Sequence, residues 1–480
     1  MRILIFHGYL LNGTGSNVYN ARLAEALVRL GHEVHLLCQE RHPEQQAFVD
    51  AAADWDSGRL LLRPVKEETA EGPRCTVYRP DIGGLLPLYV QDRYEGTDAK
   101  TFADCTDYEV ANYVQANVDA VRELAELVRP DVALANHLVM GPVILARGLT
   151  GRTPYAVKVH GSALEYTVKP HPERFLDFAR EGLAGAQTIL VGSRHTAESL
   201  WKALGEADGA AVRRRTRLGP PGVDIEHFAP RDPAQAMAEL STLIERLRAG
   251  GVGGDTEGAF ARDEPAVADA LERVLAARTS AAAREGELVA FVGKLIEAKG
   301  VHLLLDAWLL VLQHRPRARL VVIGFGSDGE RFQAQAAPLG EAVIFTGRLE
   351  HDELYHVLPL CEALVVPSTF PEAFGMVAAE AAACGVLPIS AAHSGLAEVS
   401  NTLAEHVPPE AAAWLSFPID DDAAQSIAQR IVGWLSADAD LKAGTREALV
   451  SAVRERWSWQ GVARGVIVAA RGEPVARPFG

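Results

Sequence analysis

Two short apolar runs separated by one amphipathic helix set the fold class. Arg2–Phe6 (RILIF) and Glu33–Cys38 (EVHLLC) are almost wholly apolar, the pattern of strands buried on both faces. Between them, VYNARLAEALVRLG places Leu23, Ala26, Leu27 and Leu30 at helical spacing, and Gly31 suits the helix end. Strand, helix and strand in that order imply a parallel pair joined by a crossover. The rhythm continues through a helix, VDAVRELAELV, and the strands DVALA, YAVKV, TILVG and TRLG, until Pro220-Pro221-Gly222 breaks it. A second series starts near Leu288. Its strands are LVAFVG, RLVVIG, AVIFTG, ALVVPS and VLPIS; its helices include GVHLLLDAWLLVLQH and GMVAAEAAACG, and the chain is helical from about Ala423. The expected architecture is α/β with two doubly wound domains, 1–222 and 288–458, and a C-terminal helix, 459–480, packing back on the first. Residues 223–287 are expected to be a linker with a flexible helical insertion. Ala234–Ala249 and Glu264–Arg284 read as alanine-rich helices around the glycine-rich GGVGGDTEGAF.

Composition narrows the partners. The chain has 480 residues, 48% of them hydrophobic, enough for two sizeable cores. A formal net charge of -16 disfavours nucleic acid and anionic lipid as main partners, so membrane association is not expected. The five cysteines are far apart and lack CxxC spacing, which argues for reduced core thiols rather than a disulfide framework or a zinc site. The N-terminal apolar run is too short for a signal peptide core, and no run of eighteen apolar residues exists. A cytoplasmic protein is the resulting expectation.

In open α/β sheets, ligands bind outside the carboxyl ends of the strands. Candidate residues cluster there. PSTFPEAFGMVAAEAAACGVLP, Pro367 to Pro388, is apolar but carries Glu372 and Glu380, eight positions apart. The helix is expected to begin near Gly375, leaving Glu372 in the loop and Glu380 one to two turns into the helix. Eight helical residues rotate by about 80°, so the two carboxylates do not share a face. They suit two parts of one long ligand, with the N–H groups of Phe374, Gly375, Met376 and Val377 as a phosphate seat between them. A solvated loop glutamate and a surface helix glutamate are the plainer readings, but the apolar context argues that these carboxylates have partners. Lys294 follows one strand directly, next to Gly293, and Lys299 starts the following helix; together they can offset a diphosphate. Gly324 and Gly326 follow another strand, where a ligand can approach the backbone. His160 ends YAVKVH on the same face as Lys158. His7, Asn136 and His137 also stand at strand ends. The D-x-D pairs Asp420–Asp422 and Asp438–Asp440 precede helices and read as caps rather than metal ligands.

The chain resembles the family 4 glycosyltransferases of the two-domain GT-B fold. The resemblance rests on E-x7-E at Glu372/Glu380, GKLxxxKG at 293–300, IGFGSDGE at 323–330, FTGRL at 345–349, PPGVDIEHF at 220–228 and VHGS at 159–162. It implies two Rossmann-like domains facing each other across a cleft, a nucleotide-sugar donor, a sugar transferred with retention, and no metal or other cofactor. It places Glu372 on donor-sugar hydroxyls, Glu380 on the nucleotide ribose, Lys294 and Lys299 on the diphosphate, and Arg348 of FTGRL by the base. Lys294 stands where the family often has arginine, so the bidentate fork is lost. His160 falls on the family's active-site histidine. Gly13 and Gly15 would approach donor phosphates or the acceptor. UDP is the first expectation for the donor base, ahead of GDP and ADP. The acceptor is open: small molecule, glycan or lipid. Asn136, His137, Lys158 and Tyr166 are its candidate contacts, with Tyr89, Arg93, Tyr94 and Lys169 in the neighbouring loops. A nucleotide-sugar epimerase and a non-catalytic nucleotide-sugar-binding regulator are the alternatives. A phosphorylase would need a far longer chain, and a dinucleotide oxidoreductase a proper GxGxxG in the first loop.

Overall fold

The computed structural model of the protein describes residues 1–12, 15–56, 58–66, 74–89, 98–149, 151, 153–249, 262–279 and 287–473. The chain divides into two units, Met1–Gly222 with Trp459–Gly480, and Val223–Ser458.

The first unit holds the strands β1 (Arg2–Phe6), β2 (Glu33–Leu37), β3 (Ala51–Asp56), β4 (Arg59–Pro64), β5 (Cys75–Arg79), β6 (Leu85–Leu88), β7 (Asp98–Thr101), β8 (Val132–Asn136), β9 (Tyr155–Val159), β10 (Thr188–Val191) and β11 (Thr216–Leu218). Nine form one sheet in the order β11-β10-β9-β8-β1-β2-β5-β3-β4, and β6 pairs with β7. Every pairing in the large sheet is parallel except β3–β4. Alternation sorts each central strand between two cores. Leu4 and Phe6 enter one, with Ala133 and Ala135. Ile3 and Ile5 enter the other, with Val34, Leu36, Val132 and Leu134. The helix Trp459–Ala470 contributes Trp459, Ala463 and Val466 to that second core. Chain connections leave β1 in opposite directions toward β2 and β8, so the β1/β8 boundary is the switch point of this sheet. The β3–β4 hairpin was not legible as strands; β4 is an edge strand with Leu61 and Leu62 exposed, so its apolar pattern records no core.

The second unit is a six-stranded parallel sheet: β12 (Leu288–Val292), β13 (Arg319–Ile323), β14 (Val343–Gly347), β15 (Ala363–Val366), β16 (Leu387–Ala391) and β17 (Ser416–Phe417), in the order β14-β13-β12-β15-β16-β17. Its switch point lies between β12 and β15. Helices Val301–His314 and Ala423–Ser436 pack together, as do Met376–Ala383 and Ala439–Trp457. Trp308 and Trp434 are wholly buried.

The linker expected over 223–287 needs correction. Helices Pro233–Ala249 and Glu264–Thr279 pack on each other and belong to the core of the second unit. Leu240, Leu243, Ile244 and Leu247 form the buried stripe of one; Val267, Leu271 and Val274 form that of the other. The spacings are helical, but alanine between the larger residues hid the stripe. GGVGGDTEGAF lies outside the described residues. Among the described residues, no helix is long and apolar enough to cross a membrane, and no group of three or more His, Cys, Asp or Glu is placed to hold a metal ion. The five cysteines are buried free thiols. Asp438 caps its helix through Leu441 N–H at 2.8 Å, whereas Asp422 precedes its helix without a capping bond.

If the helix pair is core, Leu271→Ala is expected to cost about 2–4 kcal/mol, the usual range for a fully buried leucine. Urea unfolding measures it; an unchanged midpoint would mark the pair as an appendage.

Candidate active site

Four loops meet at the carboxyl ends of the second unit's strands, and glycines let them touch. Gly300, at φ 70°, lies where an added Cβ would sit 1.9 Å from Pro367 O. Gly324, at φ 147°, leaves the same clearance problem against Gly293 O, at 1.8 Å. A Cβ on Gly326 would stand 2.4 Å from Leu295 O. These glycines therefore serve backbone packing between the loops after β12, β13 and β15, a reason distinct from the ligand approach inferred from sequence.

That packing brings Lys299 to Glu372: Lys299 Nζ donates to Glu372 Oε1 across the β12/β15 switch point. Ser368 Oγ lies 3.0 Å from the same carboxylate oxygen and 3.1 Å from Ala298 O, tying the two loops again. Thr369 N–H donates to Ala298 O at 3.0 Å. From the end of β16, Ser394 Oγ accepts from Glu372 N–H at 2.9 Å, and Gly395 N–H donates to Glu372 O at 2.9 Å. His393 Nε2 must donate to Ser368 O, at 2.7 Å, so its Nδ1 accepts from Ser394 Oγ at 3.0 Å. Ser394 pays for this position with a left-handed backbone, φ 52°. Lys294 is exposed and has no ion-pair partner among the described residues.

The helix Met376–Ala383 starts at Gly375, φ 108°, where a Cβ would meet Leu396 at 2.7 Å. Phe374 is buried edge-on against Trp457, ring centroids 5.4 Å apart, which anchors the turn before the helix. Met376 and Val377 are half-buried in its first turn, where N–H groups have no partner within the helix. One turn further in, Glu380 is buried and accepts from His351 Nε2 at 2.8 Å. His351 follows β14, as does Arg348, whose Nε is 3.0 Å from Glu350 Oε1 and whose guanidinium lies 5.5 Å from the Phe325 ring. The helix pair reaches this loop: Arg246 and Arg262 both hold the buried Glu353, at 3.0 and 2.8 Å. Glu353 in turn accepts from Glu350 N–H at 2.9 Å.

The first unit gathers a second polar cluster at its own switch point. His160, half-buried, follows β9 and leads into a π-helical turn, Ala163–Val168. Its Nε2 lies 3.0 Å from Asn136 Oδ1. Asn136 is buried, and its amide nitrogen also serves Asn20 Oδ1 and Phe6 O, so it supports His160 from behind. His137, buried at φ 68°, lies among the rings of His7, Tyr9, Tyr89 and His160, 4.3 to 6.0 Å away. Neither of its ring nitrogens has a hydrogen-bond partner among the described residues. Burial and the neighbouring His7 hold its pKa well below the ordinary value. Burial likewise lowers His7 to about 4. Burial, with His137, Lys158 and His7 nearby, holds His160 well below the ordinary value.

Residues 14–215 match the "Glycosyl transferase 4-like domain" family and residues 276–437 the "Glycosyl transferases group 1" family. The D-inositol 3-phosphate glycosyltransferase of Frankia alni is 30% identical over 399 residues, covering 80% of this chain and 78% of that one. The chain belongs to the family 4 glycosyltransferases. The enzyme of the same name from Xylanimonas cellulosilytica is 28% identical over 80% of this chain and 77% of its own. The fold is GT-B: sucrose-phosphate synthase from Thermosynechococcus elongatus superposes with TM-score 0.59 at 18% identity, covering 98% of each chain. Anabaena HepE, in complex with UDP and glucose, superposes with TM-score 0.56 at 16% identity, covering 97% of this chain and 98% of that one.

In this glycosyltransferase the second unit brings Lys299 and Glu372 together, with Gly293, Gly324, Gly326, Phe374 and Gly375 in the loops after the strands and Met376 and Val377 opening the helix. Ser368, His393, Ser394 and His351 were missed from sequence, although all four lie just beyond the ends of β14, β15 or β16, where the strand-end rule applies. In the first unit, Tyr166 is exposed, and Gly15 opens its helix with nothing near a would-be Cβ. Gly13, Arg93 and Tyr94 lie outside the described residues. Tyr89 is buried and donates to Val139 O, and Lys169 pairs with Glu165. Lys158, an expected acceptor contact, is instead buried: its Nζ donates to Gly219 O and lies 5.4 Å from the Tyr19 ring.

Burial lowers the Lys158 pKa from 10.5 to about 7. The unfolded lysine keeps a proton that the folded one sheds, so stability rises with pH across that window. The cost is full below pH 7 and fades toward pH 10.5. Lys158→Met is expected to stabilise the glycosyltransferase at pH 6–7, by about 1–3 kcal/mol, with the gain vanishing near pH 10. Thermal unfolding across pH measures this; a pH-independent difference would contradict the burial argument.

Proposed function

We propose that the enzyme transfers a sugar, with retention of anomeric configuration, from a nucleoside diphosphate sugar to a hydroxyl of a small polar acceptor. The observation that carries this reading is the switch-point arrangement of the second unit. Lys299 is held by Glu372, Lys294 is exposed with no ion-pair partner among the described residues, the helix Met376–Ala383 opens shortly after Glu372, and Glu380 is buried against His351. A diphosphate at that helix start meets backbone donors and two ammonium groups. This charge balance supports catalysis without a resident metal. Glu372, half-buried and acceptor-only, suits donor-sugar hydroxyls; Glu380 suits the ribose, with His351 fixing its orientation.

We infer a same-face substitution, in which the leaving diphosphate rather than a protein nucleophile assists the acceptor. The bond from the anomeric carbon to the diphosphate oxygen breaks as the acceptor oxygen bonds on the same face. The acceptor's proton passes to the departing phosphate oxygen. Lys294, Lys299 and the helix start stabilise the charge that grows on that oxygen, which is where electrostatic catalysis acts most strongly. UDP is the preferred donor nucleotide, in keeping with the UDP and glucose held by the similarly folded Anabaena protein. The relatives named for D-inositol 3-phosphate support a phosphorylated polyol as the first acceptor to try.

Glu380→Ala is expected to weaken UDP binding about ten- to a hundredfold, the loss of a charge-assisted hydrogen bond. Glu372→Ala is expected to lower kcat about a hundredfold while leaving UDP affinity within a few fold. Thermal shifts with UDP, GDP and ADP, together with sugar transfer to inositol phosphate, separate the two. Unchanged UDP affinity in Glu380→Ala, or full turnover in Glu372→Ala, contradicts the assignment.

A further inference from the structure

His160 ends a hydrogen-bond chain whose direction is fixed at every link. Asn17 Nδ2 donates to Asn12 O at 2.6 Å. His7 Nε2 lies 3.0 Å from both Asn17 Oδ1 and Leu10 O. His7 Nδ1 lies 3.0 Å from Asn20 Nδ2, which also donates to Ser16 O at 2.8 Å. Asn20 Oδ1 accepts from Asn136 Nδ2 at 2.7 Å, and that nitrogen also donates to Phe6 O at 3.2 Å. Asn136 Oδ1 then faces His160 Nε2 at 3.0 Å.

A backbone carbonyl can only accept. The carbonyls of Asn12, Ser16 and Phe6 therefore decide which end of each asparagine amide is nitrogen. Leu10 O requires the His7 proton on Nε2, and the Asn20 amide requires a bare His7 Nδ1. A second proton on His7 would break the Asn20 bond, so the direction persists along the chain. Asn136 is left presenting an oxygen to His160, and His160 Nε2 must carry the proton.

We propose that Asn20 and Asn136 are positioning residues that hold His160 with its proton on Nε2 and so offer a bare Nδ1 to a substrate hydroxyl. This rests on the sugar-transfer reading above. His160 Nδ1 makes no hydrogen bond among the described residues. The ring is steadied by Tyr19 at 5.2 Å and His137 at 4.9 Å. The titratable groups around it are Tyr19 on the helix Gly15–Arg29, His7 after β1, His137 after β8 and Lys158 on β9. Burial and the basic groups among them oppose a second proton on the ring near neutral pH. A bare ring nitrogen accepts from a hydroxyl and rejects the oxygens of phosphate or carboxylate, which bring no proton. His160 thereby selects a hydroxyl at its position rather than an anionic group.

Nitrogen-15 NMR of the histidine-labelled full chain, with His160 assigned by loss of its signal in His160→Gln, reads the tautomer directly. The expected spectrum shows a bare Nδ1 and a protonated Nε2 from pH 6 to 8. A proton on Nδ1, alone or with one on Nε2, at pH 7 overturns the proposal. Asn136→Asp sets a carboxylate against Nε2–H and is expected to raise the His160 titration by about one pH unit or more. The acid limb of kcat/KM for UDP-glucose hydrolysis, water standing in for the acceptor, is expected to rise with it. A titration that moves without the acid limb overturns the hydroxyl-accepting role. Should Asn136→Asp fail to fold, Asn136→Ala removes the oxygen that fixes the proton on Nε2 and is expected to give mixed His160 tautomers; a wild-type spectrum contradicts the positioning role. If no UDP-sugar is turned over, the donor reading fails and the hydroxyl role with it, while the spectrum still decides the tautomer.

Discussion

The contact between Lys299 and Glu372 is the constraint around which the second unit's site is arranged. It needs the end of β12 and the end of β15 side by side, which the strand order provides. It also needs the two loops within backbone contact, which Gly300 against Pro367 O permits. Once joined, the loops share Ser368, and β16 closes the arrangement through Ser394. An ammonium held by a carboxylate at a helix start is poised rather than quenched. On the proposed reading, an incoming diphosphate would add its negative charge beside Lys299 and the first turn of the helix Met376–Ala383 with little reorganisation.

The same logic extends outward. Glu380 would be a costly buried carboxylate without His351, and His351 stands on a loop that two arginines brace through Glu353. Arg246 lies on the helix Pro233–Ala249, and Arg262 stands two residues before the helix Glu264–Thr279. The pair therefore acts on the site through the loop it supports, as well as filling core volume. In the first unit the equivalent device is a chain of amides anchored on backbone carbonyls, which orders the strand-end histidines without any formal charge.

Much of this was legible because the physics is local. RILIF and LVAFVG announce buried parallel strands, and parallel strands announce where ligands bind. Lys294 and His160 stand directly beyond strand ends, Lys299 and Glu372 lie in the loops that follow strands, and Glu380, inside the next helix, stood out as a carboxylate in an apolar run. What was hidden depends on contacts between segments far apart in sequence. Nothing near Asn136 reveals that Phe6 O and Asn20 will consume its amide. Lys158 reads as a ligand contact until the fold brings Gly219 O to its tip. Gly324 and Gly326 invite a ligand explanation because the carbonyls they clear lie some thirty residues earlier. The helices at 233–279 were mistaken for an appendage because alanine carries little hydrophobic signal, although it packs closely once a core is present.

The most direct test is calorimetric titration of the full-length protein with uridine, UMP and UDP at two salt concentrations. A site built from Lys294, Lys299 and a helix start should bind UDP at least about tenfold more tightly than UMP, and the advantage should shrink at high salt. Equal affinity for the three, insensitive to salt, would mean that the switch-point cations do not hold a diphosphate, and the Lys299–Glu372 contact would then be structural only.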